Sequence, residues 1–283
     1  MRVLLLVLLL LTGCAARTAA PAPAPPAAAP PFPELEARFG AHLGVYALDT
    51  GSGKEVAYHA DQRFAYASTI KALATGAVLR NGTALDKVLA YSSEDVVAHS
   101  PVTGGRTSVT LREAARAALQ QSDNTAGNLL FGELGGPQGL NAALREVGDT
   151  TTHADRTEVA LNEAVPGDVR DTSTPRAMAT ALRAFLLGDA LPADSRAVLE
   201  GWMRGNTTGA TLIRAGVPAG WTVADKTGAG NYGTRNDLAV AWPPSGAPVI
   251  LAVMSTKDVQ DASHEDGLIA QATSAAFAAL GRG

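Results

Sequence analysis

The sequence predicts a mixed α/β protein of the α+β type. One antiparallel sheet is built from both chain ends with flanking helices, and an all-helical domain is inserted between its halves. Three observations lead there. His42–Asp49 and Lys54–Ala60 alternate apolar and polar residues and are joined by Thr50-Gly51-Ser52-Gly53, a strong hairpin signal. From Ser68 to Gly205 the periodicity turns helical. Strand-like runs then return at Thr222–Lys226, Asn236–Trp242 and Val249–Thr256. Strands at both ends of a helical middle make one sheet with an insertion, and a site between the two parts is the default expectation.

The chain has 283 residues, a formal net charge of −4 and one cysteine. It is long enough to bury a large core. It shows no basic stripe or interleaved aromatics, so a nucleic-acid partner is not expected. The histidines, His42, His59, His99, His153 and His264, are never spaced as metal ligands, so neither a metal nor any other cofactor is expected. Met1-Arg2 followed by the apolar run Val3–Leu11 is too short to span a bilayer and fits a secretory signal. It runs into Leu11-Thr12-Gly13-Cys14, which resembles the bacterial lipobox and implies lipidation at Cys14. The expectation is a signal peptide over residues 1–13, then a lipidated Cys14 and an Ala/Pro-rich tether over residues 14–33. An extended spacer of this composition rises about 3.1 Å per residue. The protein is then exported, held at the bacterial cell envelope only through that anchor, and monomeric. The mature domain carries no disulfide, since the only cysteine lies at this junction.

Pro33–Gly40 reads as a short helix before the hairpin. Ser68–Leu79, Leu111–Gln120, Thr125–Leu134, Pro137–Val147, Pro175–Leu186 and Asp194–Gly205 read as the helices of the middle, and an amphipathic helix over His264–Leu280 closes the chain. The expected boundaries are residues 34–60 with 206–283 for the α/β domain, and 61–205 for the helical one.

Three short motifs carry chemistry. Ala67-Ser68-Thr69-Ile70-Lys71 places Ser68 where a helix begins and Lys71 one turn on, on the same face. A serine is a weak nucleophile until a base takes its proton, and a neighbouring lysine can be that base. A helix N-terminus adds free N–H groups and a positive dipole end. Ser122-Asp123-Asn124 opens a helix with a run of capping residues. Lys226-Thr227-Gly228 ends a strand, where a glycine allows close approach and a lysine needs a partner.

In this order the three motifs resemble the serine β-lactamase and penicillin-binding protein superfamily, a β-lactamase/transpeptidase-like fold. The resemblance tightens at Arg156-Thr157-Glu158-Val159-Ala160-Leu161-Asn162, which is similar to the Glu-x-x-Leu-Asn element of class A β-lactamases. Asp168-Val169-Arg170-Asp171-Thr172 is similar to the end of that family's omega loop, and Asn206-Thr207-Thr208-Gly209 and Arg214-Ala215-Gly216 to its stretch before the Lys-Thr-Gly strand. The similarity spans about Glu34 to Gly281.

It implies a hydrolase that opens β-lactams through an acyl-enzyme on Ser68 and so confers resistance, with β-lactam antibiotics as its partners. Lys71, or Glu158 acting through a water, is the implied acylation base. Ser122 relays a proton to the ring nitrogen with help from Lys226, and the N–H groups of Ser68 and Ala229 form the oxyanion hole. Glu158 and Asn162 hold the deacylating water. Thr227, Lys226 and Arg235 meet the substrate carboxylate, with Gly228 beside them, and Asn124 meets the acylamido side chain. Arg156 and Asp171 bridge the ends of the loop, Asn128 bonds its backbone, and the Glu158–Val159 peptide is cis. His99 stands at the cleft edge where many relatives place an aromatic residue. Ala67 and Gly230 stand where some carbapenem-hydrolysing relatives carry cysteines. The rival reading is a D-Ala-D-Ala peptidase, which lacks the Glu158–Asn162 pair.

Overall fold

The computed structural model describes residues 30–283. The expected leader, Cys14 and the tether up to residue 29 lie outside the described residues. In chain order the elements are α1 (Phe32–Phe39), β1 (His42–Asp49), β2 (Glu55–Tyr58), β3 (Phe64–Ala65), α2 (Ile70–Arg80), β4 (Val88–Ala90), β5 (Ser108–Thr110), α3 (Leu111–Gln120), α4 (Asn124–Leu134), α5 (Gly136–Glu146), β6 (Thr172–Ser173), α6 (Pro175–Leu186), α7 (Ala193–Arg204), α8 (Ile213–Gly216), β7 (Thr222–Ala229), β8 (Arg235–Trp242), β9 (Val249–Thr256) and α9 (Asp266–Leu280).

The two early strands and the three late ones form one antiparallel sheet in the order β2-β1-β9-β8-β7, as the sequence predicts. β1 and β9, from opposite ends of the chain, pair along their whole length, His42 to Asp49 against Thr256 to Val249. Both faces of the sheet are covered. Successive strand residues point to opposite sides. Leu43, Val45, Ala47, Leu251 and Val253 accordingly pack with α1 and α9, whereas Tyr46, Leu48, Leu238, Ile250 and Met254 pack with α2 and α6. On α9, Leu268, Ile269, Ala272, Ala276, Phe277 and Leu280 make one apolar stripe at helical spacing. A third cluster, drawn from α2, α3, α4 and the β4–β5 ribbon, forms the core of the helical lobe around Leu89, Leu111 and Leu130.

The middle of the chain is not helical throughout. β3 pairs with β6, and β4 with β5, as two-stranded ribbons. Strands of two or three residues cannot display a period-two pattern, so periodicity is blind to them. The four-residue α8 escapes for the same reason. β7 also runs on to Ala229, so Lys226-Thr227-Gly228 lies inside the strand rather than at its end, opposite Leu238, Asp237 and Asn236 of β8. Ser68 lies in a 3-10 turn, Ala67–Thr69, that leads into α2.

Candidate active site

Lys71 is fully buried on the first turn of α2, and its Nζ collects acceptors from several elements. It donates to Ser68 Oγ at 2.9 Å, to the Ser122 carbonyl at 2.9 Å and to Asn124 Oδ1 at 2.7 Å. Glu158 Oε1 stands 2.8 Å away. The same carboxylate oxygen accepts from Ser68 Oγ at 3.2 Å. Burial lowers the proton affinity of Lys71 below that of a free lysine, although the Glu158 charge opposes it. The pair therefore places an amine of reduced basicity and a carboxylate against one serine hydroxyl, an arrangement suited to taking its proton.

Two further elements close on this centre. Asp123 caps α4 by accepting from Ala126 N at 2.9 Å, and its other oxygen accepts from Val102 N and Thr103 N at 2.8 and 3.0 Å. The aspartate of Ser122-Asp123-Asn124 is thus a structural anchor, which leaves its neighbours to face the cleft. Lys226 on β7 donates to Ser122 Oγ at 3.0 Å and to the Thr227 carbonyl at 2.8 Å. Burial first, and then the positive charge of Lys71, lower Lys226 to about 7, against the opposing pull of the Asp225 and Glu158 carboxylates. Ala67, Ser122 and His99 all have left-handed backbone, with φ of +46, +55 and +58°. Such conformations disfavour side chains and persist where the surroundings dictate them.

Glycine is required where β7 meets the turn carrying Ser68. A Cβ at Gly228 would stand 2.9 Å from the Tyr66 carbonyl and 3.1 Å from Thr69 N. That close approach sets Ala229, the last residue of β7, beside the turn bearing Ser68. From the next strand, Asn236 donates to the Ala65 and Tyr66 carbonyls at 2.8 and 3.2 Å and accepts from Ser255 N at 3.1 Å.

The loop carrying Glu158 is tied at both ends. Arg156 Nε donates to Asp171 Oδ2 at 2.5 Å, while Asp171 Oδ1 accepts from the amides of Asp155 and Arg156 and from Tyr66 Oη. Asn128, one turn beyond Asn124 on α4, grips the Glu158 backbone from both sides, Nδ2 to its carbonyl at 2.9 Å and Oδ1 from its amide at 2.8 Å. The Glu158–Val159 peptide is cis. Asn162 Nδ2 donates to Glu158 Oε2 at 2.5 Å, and Asn162 Oδ1 is buried with no hydrogen-bond partner among the described residues.

The open part of the site is a cleft of about 350 Å³ reached by Ser68, His99, Ser122, Asn124, Asn162 and Arg235 among others. Asn124 is engaged by the protein itself, through Lys71 on its oxygen and the Ala98 carbonyl on its nitrogen, which holds its amide at a fixed angle to the cleft. Arg235 is held by Asp266 of α9 at 2.6 Å. His99 Nε2 bonds the Gln121 carbonyl at 3.1 Å, so the imidazole lies along the rim. All the residues singled out from the described sequence thus gather around one cleft or brace its walls.

Sequence reasoning passed over Asn236 and Gly127, and gave Thr208 no part in the site beyond its place in the family-like stretch Asn206–Gly209. A methyl at Gly127 would stand 2.7 Å from Lys71 Cε. Thr208 lines the cleft with its hydroxyl 2.5 Å from that of Thr227. Only Asn236 left a trace, as one of the polar residues Arg235-Asn236-Asp237 opening an otherwise apolar strand.

A sheet built from both chain ends and a helical lobe thus hold a buried serine hydroxyl against a lysine and a glutamate. Residues 31–280 match the model of the β-lactamase enzyme family. The chain is 56% identical over 263 residues to a β-lactamase of Amycolatopsis lactamdurans, covering 92% of this chain and 87% of that one. It is 53% identical over 246 residues to β-lactamase 1 of Bacillus cereus, covering 86% and 80%. Among solved structures it superposes on a class A β-lactamase from Clostridium kluyveri DSM 555 with a TM-score of 0.86 at 48% identity, covering 88% of this chain and 97% of that one. A halotolerant bacterial β-lactamase gives the same TM-score, 0.86, at 51% identity, covering 88% and 98%. The chain belongs to the β-lactamase enzyme family, in its class A group.

Proposed function

We propose that the protein hydrolyses the cyclic amide of penicillins and cephalosporins in two steps, through an ester on Ser68, and thereby confers resistance to them. That it is a hydrolase acting on β-lactams follows from its family; the route is our reading. Ser68 Oγ attacks the lactam carbonyl carbon as its proton passes to Lys71, or to Glu158 through a water. The N–H groups of Ser68 and Ala229 take up the negative charge on the carbonyl oxygen. The ring C–N bond breaks as Ser122 gives its proton to the nitrogen and regains one from Lys71, 3.5 Å away, and Lys226 stabilises that hydroxyl from 3.0 Å. Thr227, Arg235 and Lys226 hold the substrate carboxylate, and Asn124 the acylamido group. In the second step a water attacks the ester, Glu158 takes its proton, and the Ser68 oxygen leaves and is reprotonated.

The observation that carries this reading is the placement of Glu158, with Oε1 on Ser68 and Lys71 and Oε2 on Asn162. The unpartnered oxygen of Asn162 is the acceptor that a deacylating water needs beside that carboxylate. A peptidase that merely binds penicillin has no use for such a base. Purified protein should turn over a chromogenic cephalosporin many times per active site, and Ser68→Ala should abolish turnover. A single stoichiometric burst with no further hydrolysis from the wild type would favour the peptidase instead.

We also propose that the protein is an exported lipoprotein held at the envelope by Cys14. The support is the sequence Leu11-Thr12-Gly13-Cys14 before an Ala/Pro spacer. Labelling cells with a radioactive fatty acid should mark the wild type and not Cys14→Ser; equal labelling of both would reject it.

A further inference from the structure

The reaction as described leaves unused a pair of buried carboxyls beside Lys226. Asp225 precedes Lys226 on β7, and Asp237 on β8 stands opposite Thr227, so Asp225 and Asp237 share one face of the two-strand ladder. Both are fully buried, yet they are provided for very differently. Asp225 accepts from Arg214 Nε at 2.6 Å on one oxygen and from Asn206 Nδ2 at 2.5 Å on the other. Asp237 accepts only the Ile213 amide of α8, at 3.0 Å on Oδ2, and its Oδ1 has no hydrogen-bond partner among the described residues.

Among the described residues no cation is left over for Asp237. The charged groups around it are Asp225 and Lys226 on β7, Arg214 on α8, Arg235 on its own strand and Asp266 on α9; β9 presents Val253. Arg214 is committed to Asp225, Arg235 is committed to Asp266 at 2.6 Å, and Lys226 donates to Ser122 and Thr227. A fully buried carboxylate with no counter-ion among the described residues, close to a second carboxylate, is in the state that burial penalises most. Burial and the Asp225 charge push the Asp237 carboxyl well above the usual carboxylate range.

We propose that Asp237 is a neutral carboxylic acid in the working enzyme, so that the pair offers Lys226 one negative charge, and that this single charge fixes the pH at which Lys226 gives up its proton. Asp237 is a positioning residue on this view: it touches neither substrate nor reacting atoms, and its proton stays in place through the cycle. Were both carboxyls ionised, the pull that keeps Lys226 a cation would be greater. With one, Asp225 and Glu158 oppose burial and Lys71, and burial and Lys71 prevail. The second half of the proposal rests on Lys226 acting as the cation that meets the substrate carboxylate.

The test uses the full chain and two isosteric variants. Asp237→Asn replaces a neutral acid with a neutral amide, so its profile of kcat/KM against pH for a penicillin should superimpose on that of the wild type. Asp225→Asn removes the one charge and should move the alkaline limb to lower pH. A limb displaced in Asp237→Asn as far as in Asp225→Asn would overturn the proposal. Infrared spectra read the proton without reference to catalysis. The wild type should show the carbonyl band of a protonated carboxylic acid at mildly alkaline pH, absent from Asp237→Asn. A wild type without that band would overturn the neutral acid even if the variant does not fold. The band present, with a limb that Asp225→Asn leaves unmoved, would overturn the link to Lys226 alone.

Discussion

On the proposed route Lys226 meets the substrate anion as a cation, yet it is fully buried beside Lys71, and the two demands conflict. Its proton is held to only about 7, so kcat/KM for a carboxylate-bearing penicillin should fall as pH rises through that value. The consequence for stability has the opposite sign. Between about 7 and the 10.5 of a free lysine, the unfolded chain binds a proton at this position that the folded one does not. The contribution of Lys226 to stability is therefore least below that window and grows as pH rises across it. Urea midpoints of the wild type and Lys226→Met should diverge with pH across this range, the wild type gaining; a constant difference would contradict the assignment. Arg235 lies at the cleft end of the same ladder, and a charge-assisted contact is worth about 1.5–3 kcal/mol. Arg235→Ala should raise KM for penicillins by about ten- to a hundredfold with kcat largely kept. An unchanged KM would leave the carboxylate to Lys226 and Thr227.

The loop from Asp155 to Asp171 shows how an element, rather than a residue, holds the chemistry. Asp171 is buried and joins Arg156, two loop amides and the Tyr66 hydroxyl, and Tyr66 in turn precedes the turn bearing Ser68. One carboxylate thus registers Glu158 against the nucleophile. Removing one partner of a buried ion pair costs about 3–5 kcal/mol. Arg156→Ala should lower the unfolding free energy toward that range, and it should slow deacylation more than acylation, because Glu158 rides on the loop while Lys71 sits on α2. Equal slowing of the two steps in single-turnover kinetics would speak against this division. Much of this was legible in the sequence, because Arg156, Glu158, Asn162 and Asp171 fall within one short stretch at recognisable spacings. The clamp by Asn128 was implied by the family resemblance alone; its place one turn after Asn124 does not announce it. What was not legible is what space decides. Nothing in Gly127 or Thr208 as letters announces Lys71 Cε or the Thr227 hydroxyl as neighbours. The ribbons β3–β6 and β4–β5 are too short to have a period. The extra residues of β7 look polar and loop-like until β8 pairs with them.

Across the whole molecule the sheet was the most legible feature, since alternation marked its long strands from both chain ends, and the layers on each face follow from that alternation. The same layering separates stability from catalysis. α9 covers the face away from α2, with Phe277 buried and edge-on to Trp221 at 4.9 Å. Phe277→Ala should cost about 3–5 kcal/mol, a large part of the roughly 5–15 kcal/mol that folded proteins hold in all. Urea unfolding would register that loss, while the folded fraction keeps the wild-type kcat. On the proposed route one enzyme contains both halves of a cycle, ester formation at Ser68 and ester hydrolysis driven from Glu158. Glu158→Gln, mixed with a penicillin and followed by intact-protein mass spectrometry, tests it most directly. A general base contributes about 10²–10⁴ in rate. The variant should accumulate a drug adduct on Ser68 that persists long after the wild type has cleared its own, and Ser68→Ala should show none. Clearance by Glu158→Gln at the wild-type rate would contradict the account.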